Sequence, residues 1–337
     1  MRNRRPARLP LYEHMVNAGS MDQITGRPFA ALSRGDEADR REYVRRYCEF
    51  FREMTYDTVS IEFCVNGILP GGGALMGERP GPIQNRADFA AYPWADLPRI
   101  FRERAYPLFD RLRETMPPGM KAVGGVGNGV FGISEDLVGF QWLCYLQADD
   151  PDLFADLYRQ IGALLLAIWT DFLPRYGDLF VACRIGDDLG YKTGTLLSPD
   201  AVRQHVIPQY RPVIEAIHAA GKPYLQHSCG CIFEVMDDWI AAGIDAKHSN
   251  EDAIAPFADW IAGYGDRIAL VGGIDTDRLC RMAPDEIVAF TVEEGTRFRR
   301  LAQGFALGSG NSIPEYVPPA GYLAMVEGVQ RIRASEG

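Results

Sequence analysis

The sequence predicts a (β/α)8 TIM barrel, an α/β fold built as a single domain with an N-terminal extension, and three observations carry that expectation. Short apolar runs ending in Gly, Asp, His or Asn alternate with longer amphipathic stretches, which is how βα units read. Seven such runs can be placed, and that many repeats favour closure of a parallel sheet over an open one. The 337 residues contain no fixed repeat, low-complexity tract or interdomain linker, and barrels of this kind commonly use about 250 residues or more as one domain.

The expected strands are Thr58–Phe63, Lys121–Val126, Leu179–Ile185, Pro223–His227, Ile244–His248, Arg267–Gly272 and Gly304–Leu307. Between them, helical patterns run over Asp152–Tyr176, Pro199–Ala220, Ile232–Ala242, Ala253–Tyr264, Pro284–Arg300 and Pro319–Arg333. Ser198 precedes Pro199 as a serine cap with proline at the first helical position, and Asp285 and Glu286 place acid at the positive end of another helix. The eighth strand is expected inside the Gly- and Pro-rich segment Asn66–Pro82, which otherwise reads as a long loop over the barrel mouth. Residues 1–39 form the extension and residues 40–337 the barrel.

Composition narrows the function. With 47% hydrophobic and 24% charged residues the chain has the make-up of a globular domain with one large core. Forty-five acidic against 35 basic residues give a net charge of −10, which opposes binding along nucleic-acid phosphates and favours a small-molecule partner. The arginine-rich start, Arg2 to Arg8, is followed by no apolar signal region, and the longest apolar stretch, Ile161–Trp169, is far short of a membrane span, so no membrane role is expected. Seven scattered cysteines, an odd number in a long chain, fit a reducing cytoplasm better than a disulfide framework.

In a barrel of this type the chemistry sits at the carboxyl ends of the strands. The residues there are Glu62, Asn128, Arg184, Asp187, Asp188, His227, Cys229, His248, Glu251, Asp275, Ser309 and Asn311. A contribution from each strand lets residues distant in sequence converge on one mouth, although any single acid or asparagine could equally cap the following helix.

The most specific local motif is Pro223-Tyr-Leu-Gln-His-Ser-Cys-Gly230. His227 and Cys229 are two apart at a strand end, where alternation points both the same way, so imidazole and thiolate could share one metal ion, with zinc the natural match. A buried thiol beside a hydrogen-bonded histidine is the plainer reading of that spacing. Catalytic zinc needs a third protein ligand, for which Glu62, His248 and Glu251 are candidates, Ser309 is a poor donor, and Cys231 follows the glycine expected to start the next turn. Gly124-Gly-Val-Gly-Asn-Gly129 lacks the spacing and the opening helix of a nucleotide loop and reads as a tight strand-to-loop turn. Arg2, Arg4, Arg5 and Arg8 could hold substrate carboxylates or form a solvated tail.

Together, His227-Ser-Cys-Gly230, Gly272-Gly-Ile-Asp275 and Ala306-Leu-Gly-Ser-Gly-Asn-Ser-Ile-Pro314 resemble the uroporphyrinogen decarboxylase-like superfamily over roughly residues 40–335, most strongly after Gly186. That resemblance implies the barrel and two branches of chemistry. The haem-pathway decarboxylase carries N-terminal arginines, an aspartate after the first strand and a late histidine. Here Leu11-Tyr-Glu-His-Met-Val16, Glu62 and Ser309 stand in those places. The corrinoid-linked methyltransferases use a His-x-Cys pair and a distant cysteine as zinc ligands. His227 and Cys229 match the pair, and the distant cysteine falls close to Ser309.

The resemblance therefore implies a zinc-dependent methyltransferase component that moves a methyl group between a small methylated substrate, such as a methyl ether or methylamine, and a corrinoid. Because no Asp-x-His-x-x-Gly motif occurs in the chain, the cobalamin would ride on a partner protein. Glu62, Asp187, Asp188 or His248 would move the accompanying proton. Asn128, Arg184, Asp275, Ser309 and Asn311 would contact substrate, and a homodimer is compatible with this reading. A metal-free carboxy-lyase and a non-catalytic small-molecule-binding relative are the alternatives.

Overall fold

The structure, a computed structural model describing residues 1–77 and 79–336, is of the α/β class. Seven strands follow one sheet in chain order: β1 (Thr58–Cys64), β2 (Lys121–Gly127), β3 (Phe180–Gly186), β4 (Tyr224–His227), β5 (Ala246–His248), β6 (Ala269–Ile274) and β7 (Phe305–Ser309). The pairs β3–β4, β5–β6 and β6–β7 are parallel. All seven expected strands are present, with ends displaced by one or two residues.

The eight-stranded barrel is corrected to seven strands among the described residues. No eighth strand lies in the described part of Asn66–Pro82, where two short 3-10 turns, Val65–Ile68 and Ala74–Met76, take its place; Glu78 lies outside the described residues. Left-handed backbone at Gly71 and Gly73 breaks any extended run there. The segment that continues beyond β7 comes instead from the expected N-terminal extension. Leu11 bridges Leu307 and Val16 bridges Ile313, both in parallel sense. The bonds Tyr12 N to Leu307 O (2.8 Å) and Asn17 N to Ile313 O (3.0 Å) fix it, too widely spaced to make a continuous strand.

By contact density the chain divides into two compact units. The first comprises Met1–Ile61, Leu108–Val123 and Asp245–Gly337. Its helix Glu37–Glu53 starts at a reciprocal Asp36–Asp39 cap and buries Val44, Tyr47, Cys48, Phe50 and Phe51. Helices Pro284–Leu301 and Pro319–Glu336 approach closely because Gly328 has no side chain: a Cβ there would lie 2.6 Å from Thr291 Cβ. Glu286 closes the first of these helices by accepting from Ala283 N at 3.0 Å, as its acidic start anticipates.

The N-terminal arginines stay exposed, and two of them also make contacts with the protein. Arg8 pairs with Asp57, and Arg5 donates to the Arg300 carbonyl at 3.0 Å, which ties the tail to this unit.

The second unit comprises Glu62–Pro107 and Gly124–Ile244. Its longest helix, Pro151–Tyr176, has proline in its first turn and is capped by Asp150, which accepts from Leu153 N at 3.0 Å. Its Trp169 packs onto β2, where a Cβ on Gly125 would come within 2.9 Å of the indole and where φ is +111°. Ser198 caps the next helix through Ala201 N at 3.2 Å. That expected single helix, Pro199–Ala220, is interrupted: residues Val202–Val206 form a π-turn before Ile207–Ala219 resumes. A π-turn inserts one residue and rotates the helical turns beyond it. Tyr210, in the resumed helix, reaches Asp187. No helix among the described residues is long and apolar enough to cross a membrane.

Candidate metal centre

In the second unit, β1 to β4 deliver Glu62, Asn128, Asp187, Asp188, His227 and Cys229 at or just past their carboxyl ends. The register pairs Gly186 with His227, so the acids after β3 emerge beside the motif after β4. Alternation then sends the two acids in different directions.

Asp187 is buried and turns away from the motif. Its carboxylate accepts from Phe131 N (3.0 Å), from Gly132 N (2.8 Å) and from the Tyr210 hydroxyl, which itself accepts from Val130 N at 2.9 Å. These are the free amides at the start of helix Val130–Val138, so the glycine run after β2 does open on a helix, contrary to the sequence reading. A carboxylate of this chain already fills the position a phosphate would take. Burial pushes Asp187 up to about 6 against the lowering effect of those bonds.

Asp188 faces the motif. Its side chain is 61% exposed, its Oδ1 accepts from Cys229 N at 2.9 Å and lies 3.6 Å from His227 Nε2. His227 is buried, and its Nε2 lies 3.5 Å from Cys229 Sγ. One oxygen, one nitrogen and one sulfur therefore lie within 4.8 Å of one another.

The fit to zinc can be tested on these distances. Bonds of about 2.3 Å to sulfur and 2.0–2.1 Å to nitrogen or oxygen, at the tetrahedral angle, place nitrogen and sulfur about 3.5 Å apart and nitrogen and oxygen about 3.4 Å apart. The residues present fit. Thiolate and carboxylate together balance a dipositive ion, and the exposed side of Asp188 leaves room for a fourth ligand. The sequence marks Asp188 as a candidate proton carrier and not as a candidate ligand, and Glu62, His248 and Glu251 as third ligands remain expectations.

Arg184, 1% exposed, is held by Glu62, whose Oε2 accepts from Nε at 3.2 Å and from Nη2 at 2.7 Å. Glu62 is thus committed to a buried guanidinium. Removing its charge by Glu62→Gln is expected to cost about 3 kcal/mol of stability, because a desolvated cation loses its anion; urea unfolding of the variant measures this, and an unchanged midpoint would refute it. Asn128, at φ +65°, accepts from Asn66 N at 3.2 Å and pins the start of the long loop at the carboxyl ends of β1 and β2. Asp136 holds the same loop further on through Gly73 N at 2.8 Å and Leu75 N at 3.3 Å.

Glu135, unremarked in the sequence, is pushed up to about 8 by burial and by the neighbouring charges of Asp187, Asp188 and Asp136. Its carboxyl therefore keeps its proton to higher pH than an ordinary glutamate.

In the first unit, His248, Asp275 and Ser309 stand at the ends of β5, β6 and β7. His248 Nε2 lies 3.1 Å from the Ser309 carbonyl, and its ring packs against Tyr12 and stacks on His14. Ser309 Oγ contacts the Asn311 carbonyl at 3.0 Å and donates to Glu13 Oε1 at 2.5 Å. Glu13 also accepts from His14 N, and burial pushes it up to about 8. Neither Glu13 nor His14 was marked by the sequence reading. Asp275 takes the plainer role: it accepts from Asp277 N (2.7 Å) and Asp252 N (2.6 Å), capping helix Thr276–Arg281.

The profile of the uroporphyrinogen decarboxylase (URO-D) family matches residues 49–332. The chain belongs to that family. Among curated proteins none gives a significant sequence match. Among solved structures, this URO-D family member is similar to a methyltransferase from Methanosarcina mazei, with TM-score 0.74 and 18% identity over 96% of this chain and 94% of that one. It is also similar to a B12-independent methionine synthase from Shewanella sp. W3-18-1, with TM-score 0.53 and 13% identity over 88% and 89% of the two chains. At these identities the likeness is one of fold, shared by the URO-D chain with both.

Proposed function

We propose that this URO-D family protein is a zinc-dependent methyltransferase component, moving a methyl group between a small methylated substrate, such as a methyl ether or methylamine, and a corrinoid carried by a partner protein in the cytoplasm. The observation that carries the reading is the Asp188–His227–Cys229 triangle, whose spacing suits one zinc ion with a position left open. The fold shared with a methyltransferase adds to it. So does Ser309, where the haem-pathway decarboxylase has a histidine. We further read the seven strands and the Leu11–Val16 segment as this family's variant of the barrel.

His227 nitrogen, Cys229 thiolate and the Asp188 carboxylate would hold the metal. Bound there, zinc would supply Lewis acidity toward the substrate heteroatom. Cys229 N–H donates to the same Asp188 oxygen that faces His227, a bond that holds the carboxylate in place. Asp187 fixes helix Val130–Val138, and Glu135 on that helix, whose carboxyl is pushed up by burial, would give a proton to the heteroatom that gives up the methyl group. Buried Arg184 and half-buried Asn128 would add polar groups at the strand ends.

The test is a single-turnover reaction of the zinc-loaded protein with free cob(I)alamin and a panel of methanol, methylamines and aryl methyl ethers, monitored by the absorbance of methylcobalamin. Transfer that needs the zinc-loaded form supports the reading. Release of carbon dioxide from a porphyrinogen by metal-stripped protein would replace it with the carboxy-lyase alternative.

A further inference from the structure

After β3 and β4 the two loops of the second unit remain zipped together. Leu189 N donates to Ser228 Oγ (3.2 Å), Gly190 N to the Cys229 carbonyl (3.1 Å) and Cys231 N to the Tyr191 carbonyl (2.6 Å). Beyond Gly190 the chain doubles back as a tight hairpin: Gly190 and Thr195 form an antiparallel bridge, Tyr191 N bonds the Gly194 carbonyl (2.7 Å) and Leu196 N the Leu189 carbonyl (2.8 Å). The hairpin thus begins one residue after Asp188 and lies on the backbone of Cys229 to Cys231.

Two glycines make that approach feasible. A Cβ on Gly190 would lie 2.5 Å from both Cys231 N and the Gly230 carbonyl carbon, and one on Gly230, where φ is +78°, would fall inside the Gly190 backbone. Both obstacles are backbone, so no rotamer change relieves them. The loops would have to part.

We propose that the hairpin Leu189–Leu196 is a clasp: the Gly190–Gly230 backbone contact holds the Asp188 loop on the Cys229 loop and thereby completes the three-donor set. Gly190, Gly230 and Ser228 are positioning residues, since none places an atom in the donor set. His227 and Cys229 leave the same strand, and the bond from Asp187 N to the His227 carbonyl (2.9 Å) carries the β3–β4 pairing as far as Asp188, whose carboxylate is then kept on Cys229 N by the joined loops beyond it. The inference rests on the metal-site reading above and adds that affinity for the ion is set partly by a hairpin outside it.

The test is titration of the metal-free protein with Co2+, read through the ligand-field bands and the thiolate-to-cobalt charge-transfer band. Gly190→Ala is expected to weaken Co2+ binding by about 10–100-fold while keeping the charge-transfer band, because supporting residues act on affinity and the thiolate stays in place. Asp188→Asn should weaken it similarly, and the double variant should be little worse than either single one, which a merely structural defect would not produce. Gly194→Ala, whose Cβ meets open space, is the control expected to bind like wild type. Should Gly190→Ala fail to fold, Ser228→Ala removes the Leu189 contact without a clash and should weaken binding several-fold. Unchanged affinity in the folded clasp variants, or additive losses in the double variant, overturns the clasp. Wild-type protein that takes up no Co2+ overturns the metal-site reading instead.

Discussion

Cys229→Ala is expected to empty the metal centre, taking zinc from about one per chain to a trace after dialysis against a weak chelator, with loss of methyl transfer. In the proposed site the thiolate is the donor that would select zinc over magnesium or calcium, and its removal would leave one imidazole and a largely exposed carboxylate, a pair with little hold on the ion. Cys231→Ala should keep its zinc. Cys231 contributes a backbone N–H to the Tyr191 carbonyl, and its sulfur is not among the grouped donors. Elemental analysis of both variants decides this, and equal metal in the two would be the contrary outcome.

Glu13→Gln is expected to remove a strong pH dependence of stability. The ordinary value of the Glu13 carboxyl, 4.5, rises to about 8 in the fold because burial disfavours its charge, outweighing bonds from Ser309, His14 and Tyr56. Between these two values the folded protein holds a proton that the unfolded chain has released. The stabilisation is therefore full below about 4.5, shrinks as pH rises, and is gone above about 8, a swing on the order of 5 kcal/mol. Glutamine keeps an acceptor for Ser309 and does not titrate. Urea unfolding at pH 5 and pH 8.5 should show wild type losing stability relative to the variant; parallel behaviour would mean Glu13 does not hold its proton.

The strands were legible because each is a short apolar run with a polar or glycine stop, a pattern that survives without tertiary information. The Leu11–Val16 segment was not, because its buried positions include Glu13 and His14, and two isolated bridges leave no period to read. The His227–Cys229 pair was visible because both lie at one strand end two residues apart. Asp188 was visible as an acid but not as a donor. Which of two consecutive acids turns toward β4 depends on the Gly186–His227 register and on Tyr210, whose position depends in turn on the π-turn at Val202–Val206. Asp275 shows the plainer alternative for a strand-end acid, since its carboxylate caps the next helix.

Zinc-edge X-ray absorption of the wild-type protein purified with zinc tests the central claim most directly. The expected spectrum contains one sulfur at about 2.3 Å and nitrogen or oxygen neighbours at about 2.0–2.1 Å, from Cys229, His227, Asp188 and one exchangeable ligand. A protein that retains no zinc, or a zinc shell without sulfur, would contradict it.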